Sequence, residues 1–195
     1  TYCLTDILKK QIFKNTENIF LEPCHRIDRN TKGLVIFAKN NDSLSILLQK
    51  FKNKEIEKHY LTKVFGIPKN KSANLKAYLF KDSKKNLVYI SDTPQKNYLE
   101  ILTEYKIIDV NYKENYSILD INLHTGRTHQ IRAHLAHIGF PVIGDGKYGN
   151  NKINKKFAKK TQELYSYKII FKFTTDSGNL NYLKNKEISL PINLQ

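Results

Sequence analysis

Near the start of the chain a single carboxylate, that of Asp28, lies between Arg26 and Arg29, with His25 just before them. Positively charged neighbours favour the ionised form of a carboxylate. An ionised carboxylate can act as a nucleophile or a general base if the surrounding structure fixes its position. The polar residues that follow, 30–33, are also typical of a turn, in which an aspartate only binds its own backbone. On local sequence alone, the turn is the commoner role.

Arginine is rare in this chain, and its placement favours a chemical role for Asp28. The sequence has 33 lysines and arginines, but arginine stands only at positions 26, 29, 127 and 132. Arginine offers a planar group that binds a carboxylate or a phosphate through two parallel hydrogen bonds. We therefore expect the two arginine-containing segments to meet in one site. There Arg132 would pair with Asp28, and Arg127 would face an anion near the start of a helix.

The composition is that of one folded domain with an anionic partner. The chain has 195 residues, 40% of them hydrophobic, and a net charge of +15. Such a charge points to a nucleic acid, although a biased lysine content produces the same excess. No apolar run approaches the roughly 20 residues that span a membrane. Cys3 and Cys24 have no metal-binding spacing, so we expect a reducing, cytoplasmic compartment and no structural metal.

Three elements should position Asp28 and its neighbours. The apolar run Leu34–Ala38 predicts a buried strand directly behind the turn. An amphipathic helix is expected over Asn40–Asn53, with its leucines on one face. A strand over Glu57–Phe65 carries Tyr60, which local spacing alone assigns to the core with its hydroxyl at the edge.

The rest of the chain is rich in strands. Apolar spacing predicts a helix at Thr5–Phe13, a loop at Asn15–Glu22, strands at Leu75–Phe80, Leu87–Ser91, Tyr98–Val110, Tyr116–Leu123 and Tyr165–Phe173, and an extended tail at Leu183–Leu194. The third and fourth of these strands should pair across a polar loop. Thr128 is expected to cap a helix that begins at His129 and stops at Gly139.

Four histidines near this helix raise the question of a metal site. They stand at positions 124, 129, 134 and 137. No cysteine or catalytic glutamate joins them, and the HExxH pattern of zinc enzymes is absent. We expect these histidines to make hydrogen bonds or to face phosphate.

Three motifs resemble those of one enzyme family. Residues 25–29, with Thr31 and Gly33, resemble the HRLDRxTSG signature of the RluA-type pseudouridine synthases. Lys58-x-Tyr60, with Val64 and Gly66, resembles the family's KxYxAxVxG strand. The segment GRTHQIRAH, residues 126–134, resembles its other signature and is followed by the expected Gly139, Pro141, Gly144-Asp145 and Tyr148-Gly149. The motifs occur in the family's order and span most of the chain.

The resemblance implies an α+β fold, with a mixed, largely antiparallel sheet flanked by helices and a cleft across the sheet. It implies isomerisation of uridine to pseudouridine in RNA without a cofactor. It assigns Asp28 as the catalytic carboxylate and Arg132 as its partner. It assigns Tyr60 to packing under the uracil and makes it a candidate to take the C5 proton, and it assigns Arg26 to base extrusion. The residues expected to bind substrate are His25, Arg26, Arg29, Arg127, His129 and Gln130.

The chemistry leaves two routes open. Asp28 would attack C1′ as a nucleophile, or take a sugar proton to give a glycal-like intermediate. Either route needs the nucleotide flipped out of its stack into an apolar pocket. Asn30 and Lys32 stand where the family usually has Asp and Ser, and at these turn positions we expect tuning of activity.

The expected substrate is large-subunit ribosomal RNA, with transfer RNA second. We expect a monomer without membrane attachment. We also expect residues 1–195 to be a single catalytic domain that lacks its native N-terminal segment, because methionine is absent and neither the family's first motif nor an S4-type domain is visible.

Two other classes of function compete with this interpretation. A non-catalytic RNA-binding module on the same scaffold should have lost Asp28, Tyr60 or Arg132, and all three are present. An aspartate-nucleophile hydrolase on a doubly wound parallel sheet would alternate strands with helices. The strand-rich middle of the chain disfavours that second alternative.

Overall fold

The computed structural model describes residues 3–12 and 19–194. In this part of the chain the elements are α1 (Leu4–Ile12), β1 (Glu22–Pro23), β2 (Lys32–Gly33), β3 (Phe37–Ala38), α2 (Asn41–Lys52), β4 (Ile56–Phe65), β5 (Ser72–Asp82), β6 (Leu87–Ser91), β7 (Leu99–Asn111), β8 (Tyr116–Leu123), α3 (Gln130–His137), α4 (Asn151–Lys156), β9 (Leu164–Phe171), a 3-10 helix (Gly178–Leu183) and β10 (Glu187–Ser189).

Most strands join one sheet, in the order β10-β9-β4-β8-β7-β5-β6, with β2 added beside β9. Neighbours along this order are antiparallel, whereas β2 and β9 are parallel. Strand β4 lies inside the sheet, between β8 and β9. This mixed, largely antiparallel sheet with its helices is the α+β fold that the sequence predicted.

The longer elements follow their local sequence closely. Strands β6 and β8 have the predicted bounds, and β7 pairs with β8 as expected. Helix α2 begins after Asn40, whose Oδ1 accepts a hydrogen bond from the Ser43 backbone N–H at 2.8 Å, the capping role that asparagine favours. Helix α1 agrees with the prediction up to Ile12, while Phe13 and the first half of the loop predicted from Asn15 lie outside the described residues.

Helix α3 packs against the sheet through the face that the sequence predicted. Ile131 and Leu135 are buried in one cluster with Tyr60 and Leu119, which come from β4 and β8. Because this packing fixes the helix against β4, it also sets the position of any side chain that α3 directs toward Tyr60. The helices of the described part are all too short or too polar to cross a bilayer.

The buried strand predicted at Leu34–Ala38 is wrong. Only Lys32–Gly33 and Phe37–Ala38 are strand residues, and residues 34–36 are partly exposed. Gly33 has a φ of 115°, and a Cβ there would overlap the Ser166 backbone of β9. The chain therefore runs close beside β9 at this glycine and then separates from it, which limits β2 to two residues.

The start of helix α3 also differs from the prediction. The helix begins at Gln130, and His129, at the N-cap position, has a φ of 53° and makes no capping bond. Thr128 is therefore not the cap. The side chain of Gln130 instead reaches back, and its Oε1 accepts a hydrogen bond from the Arg127 backbone N–H at 3.0 Å. The extended tail predicted at Leu183–Leu194 is only partly present: Leu183 ends a 3-10 helix, residues 184–185 form a turn, and β10 pairs with β9.

Candidate active site

A pocket of about 270 Å³ lies where β4, the loop around residue 28 and the start of α3 meet. Its charged and polar lining comes from distant parts of the chain: His25, Arg26, Asp28, Thr31, Lys58, Tyr60, Arg127, Thr128, His129, Gln130 and Arg132. The two arginine-containing segments therefore meet, as the sequence predicted. Arg29 is exposed and does not line this pocket.

Asp28 and Arg132 form an ion pair in this pocket. The Nη1 of Arg132 donates a hydrogen bond to Oδ2 of Asp28 at 3.1 Å. The side chain of Asp28 is 17% exposed and that of Arg132 is 7% exposed. The predicted contact is thus present across 104 residues of sequence, and the carboxylate still faces the pocket.

A second carboxylate fixes the arginine. Arg132 donates from Nε to Oδ2 of Asp145 at 2.7 Å and from Nη2 to Oδ1 at 2.9 Å. Burial alone would lower the pKa of Arg132, but its bonds to Asp145 and then to Asp28 outweigh burial and raise it. Burial alone would raise the pKa of Asp145, but Arg132 outweighs that effect and lowers it. Both groups of this pair therefore stay charged.

Asp145 is itself held by backbone groups. It is fully buried, and its Oδ1 accepts hydrogen bonds from the backbone N–H groups of Lys147 and Tyr148 at 2.8 and 3.1 Å. Its backbone carbonyl accepts a bond from Asn154 Nδ2 at 3.0 Å. The sequence motif that contains Gly144-Asp145 did not predict a role for this aspartate. The feature of the sequence that could have indicated this role is a single acidic residue in an otherwise apolar, glycine-containing segment.

Tyr60 lies on β4 with its ring in the pocket lining and only 5% of the residue exposed. Burial raises its pKa to about 12, the negative charge of Asp28 adds to the effect, and the Ser166 hydroxyl opposes it. Tyr60 is therefore a neutral phenol at physiological pH. A neutral phenol is an apolar surface with one donor and not a ready proton acceptor.

The His25 ring holds the loop on which Asp28 lies. Its Nε2 accepts a hydrogen bond from the Ile36 backbone N–H at 3.0 Å, so the ring proton is on Nδ1. Burial, and next the charge of Lys58, lowers the pKa of His25 to about 4. The ring is therefore neutral, and its hydrogen bond to Ile36 stabilises the loop that carries Asp28.

His129 is oriented by a tyrosine. The hydroxyl of Tyr148 accepts a hydrogen bond from the Val88 backbone N–H at 3.0 Å and lies 2.7 Å from Nδ1 of His129. A phenol that accepts a backbone bond keeps its own proton to donate, which suits an unprotonated Nδ1 and leaves Nε2–H as the free donor of the ring. Burial lowers the pKa of His129, in agreement with a neutral ring.

The amide of Gln130 is fully used inside the protein. Its Oε1 accepts bonds from Thr125 Oγ1 and the Arg127 backbone N–H, and its Nε2 donates to the Leu102 carbonyl and Thr103 Oγ1. Gln130 is 2% exposed. These bonds leave the amide no donor or acceptor for a ligand. The contacts of Gln130 therefore favour a role in positioning the turn that carries Arg127, and they do not favour the predicted binding of substrate.

The other histidines make ordinary protein contacts. Nδ1 of His134 lies 3.0 Å from Thr103 Oγ1 in the core, and His124 and His137 lie beside Glu104 and Asp92. Within residues 3–12 and 19–194, no three His, Cys, Asp or Glu side chains are grouped so as to hold a metal ion.

The sequence between residues 4 and 137 matches the model of a family described as RNA pseudouridylate synthase. This segment contains Asp28, Tyr60 and Arg132. The chain belongs to the RNA pseudouridylate synthase family. The resemblance to RluA-type pseudouridine synthases is thereby confirmed.

Curated relatives in this family align with much of the chain. An uncharacterized RNA pseudouridine synthase of Chlorobaculum parvum is 40% identical over 128 residues, which is 64% of this chain and 38% of that protein. The ribosomal large subunit pseudouridine synthase D of Borreliella burgdorferi is 34% identical over 170 residues, or 86% of this chain and 50% of that protein. The chain thus spans half or less of the length of these relatives.

Two solved human structures share the fold of this synthase-family chain. RNA pseudouridylate synthase domain containing 1 superposes with a TM-score of 0.75 at 20% identity, covering 94% of this chain and 72% of the human chain. RNA pseudouridylate synthase domain containing 4 gives a TM-score of 0.74 at 19% identity, covering 100% and 80%. At such identities the likeness supports the fold alone.

Proposed function

We propose that this protein isomerises uridine to pseudouridine in RNA, with Asp28 as the catalytic carboxylate. The observation that carries the proposal is the placement of Asp28 at a pocket, hydrogen-bonded to an arginine that a second, buried aspartate holds in place. Among the described residues only Arg132 donates a side-chain hydrogen bond to Asp28, so Oδ1 remains for a substrate.

The reaction conserves every atom of the nucleotide. The C1′–N1 bond breaks, the uracil turns while it stays in the pocket, and a C1′–C5 bond forms. The proton on C5 then leaves and N1 gains one. No electrons are gained or lost overall, so the isomerisation needs no redox partner. Asp28 acts either as the nucleophile at C1′ or as the base that removes a sugar proton.

The other pocket residues would retain and orient the free base. Tyr60 offers a buried ring for the uracil to pack on. Its raised pKa makes it a poor acceptor for the C5 proton at neutral pH, so packing is the role that its environment favours. His129 would donate from Nε2 to the base or the sugar. Arg26 and Arg127, both exposed at the pocket, would contact the RNA backbone or occupy the space left by the flipped base.

Large-subunit ribosomal RNA is the substrate that we favour, and transfer RNA is second. The support is that the Borreliella burgdorferi relative is named as a ribosomal large subunit synthase, together with the net charge of +15, which suits a polyanion. We further propose that the protein works as a cytoplasmic monomer.

The direct test uses RNA whose uridines carry tritium at C5, because pseudouridine formation releases that tritium to water. Transcripts of large-subunit ribosomal RNA and a pool of transfer RNAs are incubated separately with the protein. We expect the ribosomal transcript to release tritium from only a few of its uridines, the modified sites. Release only from transfer RNA would reassign the substrate, and binding without release from either would favour a non-catalytic RNA-binding module.

A further inference from the structure

Lys58 is a charged residue of the pocket for which the sequence predicted no role. It stands two residues before Tyr60 on β4 and, like Tyr60, lines the pocket. Its Nζ lies 5.4 Å from the centre of the Phe51 ring, a distance that suits a cation–π contact. No carboxylate and no hydrogen-bond acceptor among the described residues pairs with it.

This lack of a partner distinguishes the half-buried Lys58 from Arg132 and Lys50, whereas Lys63, which is buried over the Tyr116 ring at 3.9 Å without a carboxylate partner in the described part of the chain, lies outside the pocket. Arg132 has two carboxylate partners. Lys50, which is 2% exposed, binds Glu55 at 2.8 Å. A desolvated charge is costly to a fold unless an opposite charge or several acceptors compensate it. Burial accordingly lowers the pKa of Lys58. A ligand that supplies negative charge would remove this cost.

The surroundings of Nζ also suit an anion. Nζ lies 3.3 Å from the point that a Cβ on Gly126 would occupy, so the glycine provides the space in which the ammonium group sits. The next residue, Arg127, lines the same pocket without an ion-pair partner in the described structure. Arg26 is a third such cation. The one carboxylate in the lining, Asp28, is already bound to Arg132.

We propose that Lys58 binds a phosphate group of the nucleotide that enters the pocket. Three unpaired cations around one pocket exceed what a neutral uracil needs, because a base carbonyl requires only a single donor. A phosphate carries the charge that compensates a desolvated ammonium group. The proposal rests on the proposed function only for the identity of the ligand as a nucleotide, and it leaves to experiment whether the 5′ or the 3′ phosphate is bound.

The test compares the binding of uridine, uridine 5′-monophosphate and uridine 3′-monophosphate, followed by NMR titration of amide resonances. The proteins are the unsubstituted chain, Lys58→Met and Lys58→Arg. The matched control is Lys186→Met, which removes a lysine that likewise lies over an aromatic ring, 5.9 Å from the centre of Tyr182, but outside the pocket. All four proteins are first checked for unchanged thermal unfolding.

We expect the unsubstituted chain to bind one of the two monophosphates roughly tenfold more tightly than uridine, the size of one charge-assisted contact. Lys58→Met should lose that preference while its affinity for uridine is unchanged. Lys58→Arg should retain a preference, and Lys186→Met should match the parent.

Three results would overturn the proposal. The first is an unsubstituted chain without a phosphate preference, or with no detectable binding of either monophosphate. The second is a preference that survives in Lys58→Met. The third is an equal loss of uridine and monophosphate binding in Lys58→Met, which would place Lys58 on the base or sugar. Tritium release is measured in parallel, so a protein that prefers phosphate but never releases tritium would refute the proposed function and leave this assignment intact.

Discussion

At the scale of single residues, the position of Asp28 in the pocket depends on how the guanidinium group of Arg132 distributes its hydrogen bonds between two carboxylates. Arg132 directs Nε and Nη2 to Asp145 and Nη1 to Asp28. The two bonds to a fully buried carboxylate fix the plane of the group, so the third bond approaches Asp28 from a set direction. Asp28 thereby gains a charged partner whose position does not depend on the pocket loop.

Replacing Arg132 by lysine should reduce turnover strongly. A lysine has one nitrogen and cannot bind both oxygens of Asp145 while it also reaches Asp28. We predict a fall in kcat of at least about 100-fold, with a smaller change in KM, because the loss concerns orientation of the reacting group. Multiple-turnover tritium release gives kcat and KM, and thermal unfolding separates a loss of turnover from misfolding. Parent-like turnover would show that the pairing has no catalytic importance.

At the scale of elements, a single glycine joins the Asp28 loop to the sheet. Gly33 lies against Ser166 of β9 with a φ of 115°, and the Leu34 backbone N–H donates to the Ser166 carbonyl at 2.8 Å. The close contact of residue 33 with the Ser166 backbone and its positive φ both need a residue without a Cβ. The loop is thus attached at a point only five residues after Asp28.

Gly33→Ala should therefore destabilise the protein and displace the loop. A Cβ against backbone atoms, added to an unfavourable φ, should cost more than about 2 kcal/mol of unfolding free energy. Gly146→Ala is the matched control, because its Cβ would meet no atom within 4 Å, and we expect almost no change. Chemical denaturation measures both variants. Equal stability of the two would contradict this account of the loop attachment.

Long elements agree with the sequence-based predictions better than short elements do. Strand β8 was predicted with its observed bounds because alternating apolar residues and a polar turn are local signals. The prediction of a strand at Leu34–Ala38 was wrong because strand formation there depends on pairing with β9. That strand lies about 130 residues further along the chain, so local sequence does not show which residues pair with it. The partnership of Arg132 with Asp145 was missed for the same reason, since burial of Asp145 arises only in the folded chain.

At the scale of the whole molecule, stability should depend on pH through two neutral histidines. Burial, with lesser help from nearby charges, lowers the pKa values of His25 and His134 to about 4, below the ordinary value of 6.5. The unfolded chain therefore binds more protons between these values, and stability falls as pH drops through that window. The limiting slope is about 1.4 kcal/mol per pH unit for each histidine.

This dependence can be measured by chemical denaturation between pH 7 and pH 4.5. We predict that His134→Gln, which removes one titrating group, reduces the slope by about one proton. The slope is the quantity to compare, because the substitution also changes stability at every pH. An unchanged slope in this variant would contradict the assignment of His134 as a buried neutral ring.

The net charge of +15 should make RNA binding strongly dependent on salt. Each phosphate contact to a single strand contributes roughly −0.7 to the slope of log K against log salt concentration. We predict a slope equivalent to several contacts, measured by filter binding over a series of KCl concentrations. Affinity that does not change with salt would show that the lysine excess is unrelated to RNA.

The central claim is that Asp28 carries out the chemistry, and Asp28→Asn tests it most directly. Asparagine has nearly the same shape, still accepts a hydrogen bond from Arg132, and cannot act as a nucleophile or base in the same way. We predict loss of tritium release from RNA labelled at uridine C5, by at least about 10⁴-fold, with RNA affinity and thermal unfolding close to those of the parent. Tritium release at the parental rate from the folded variant would contradict the account.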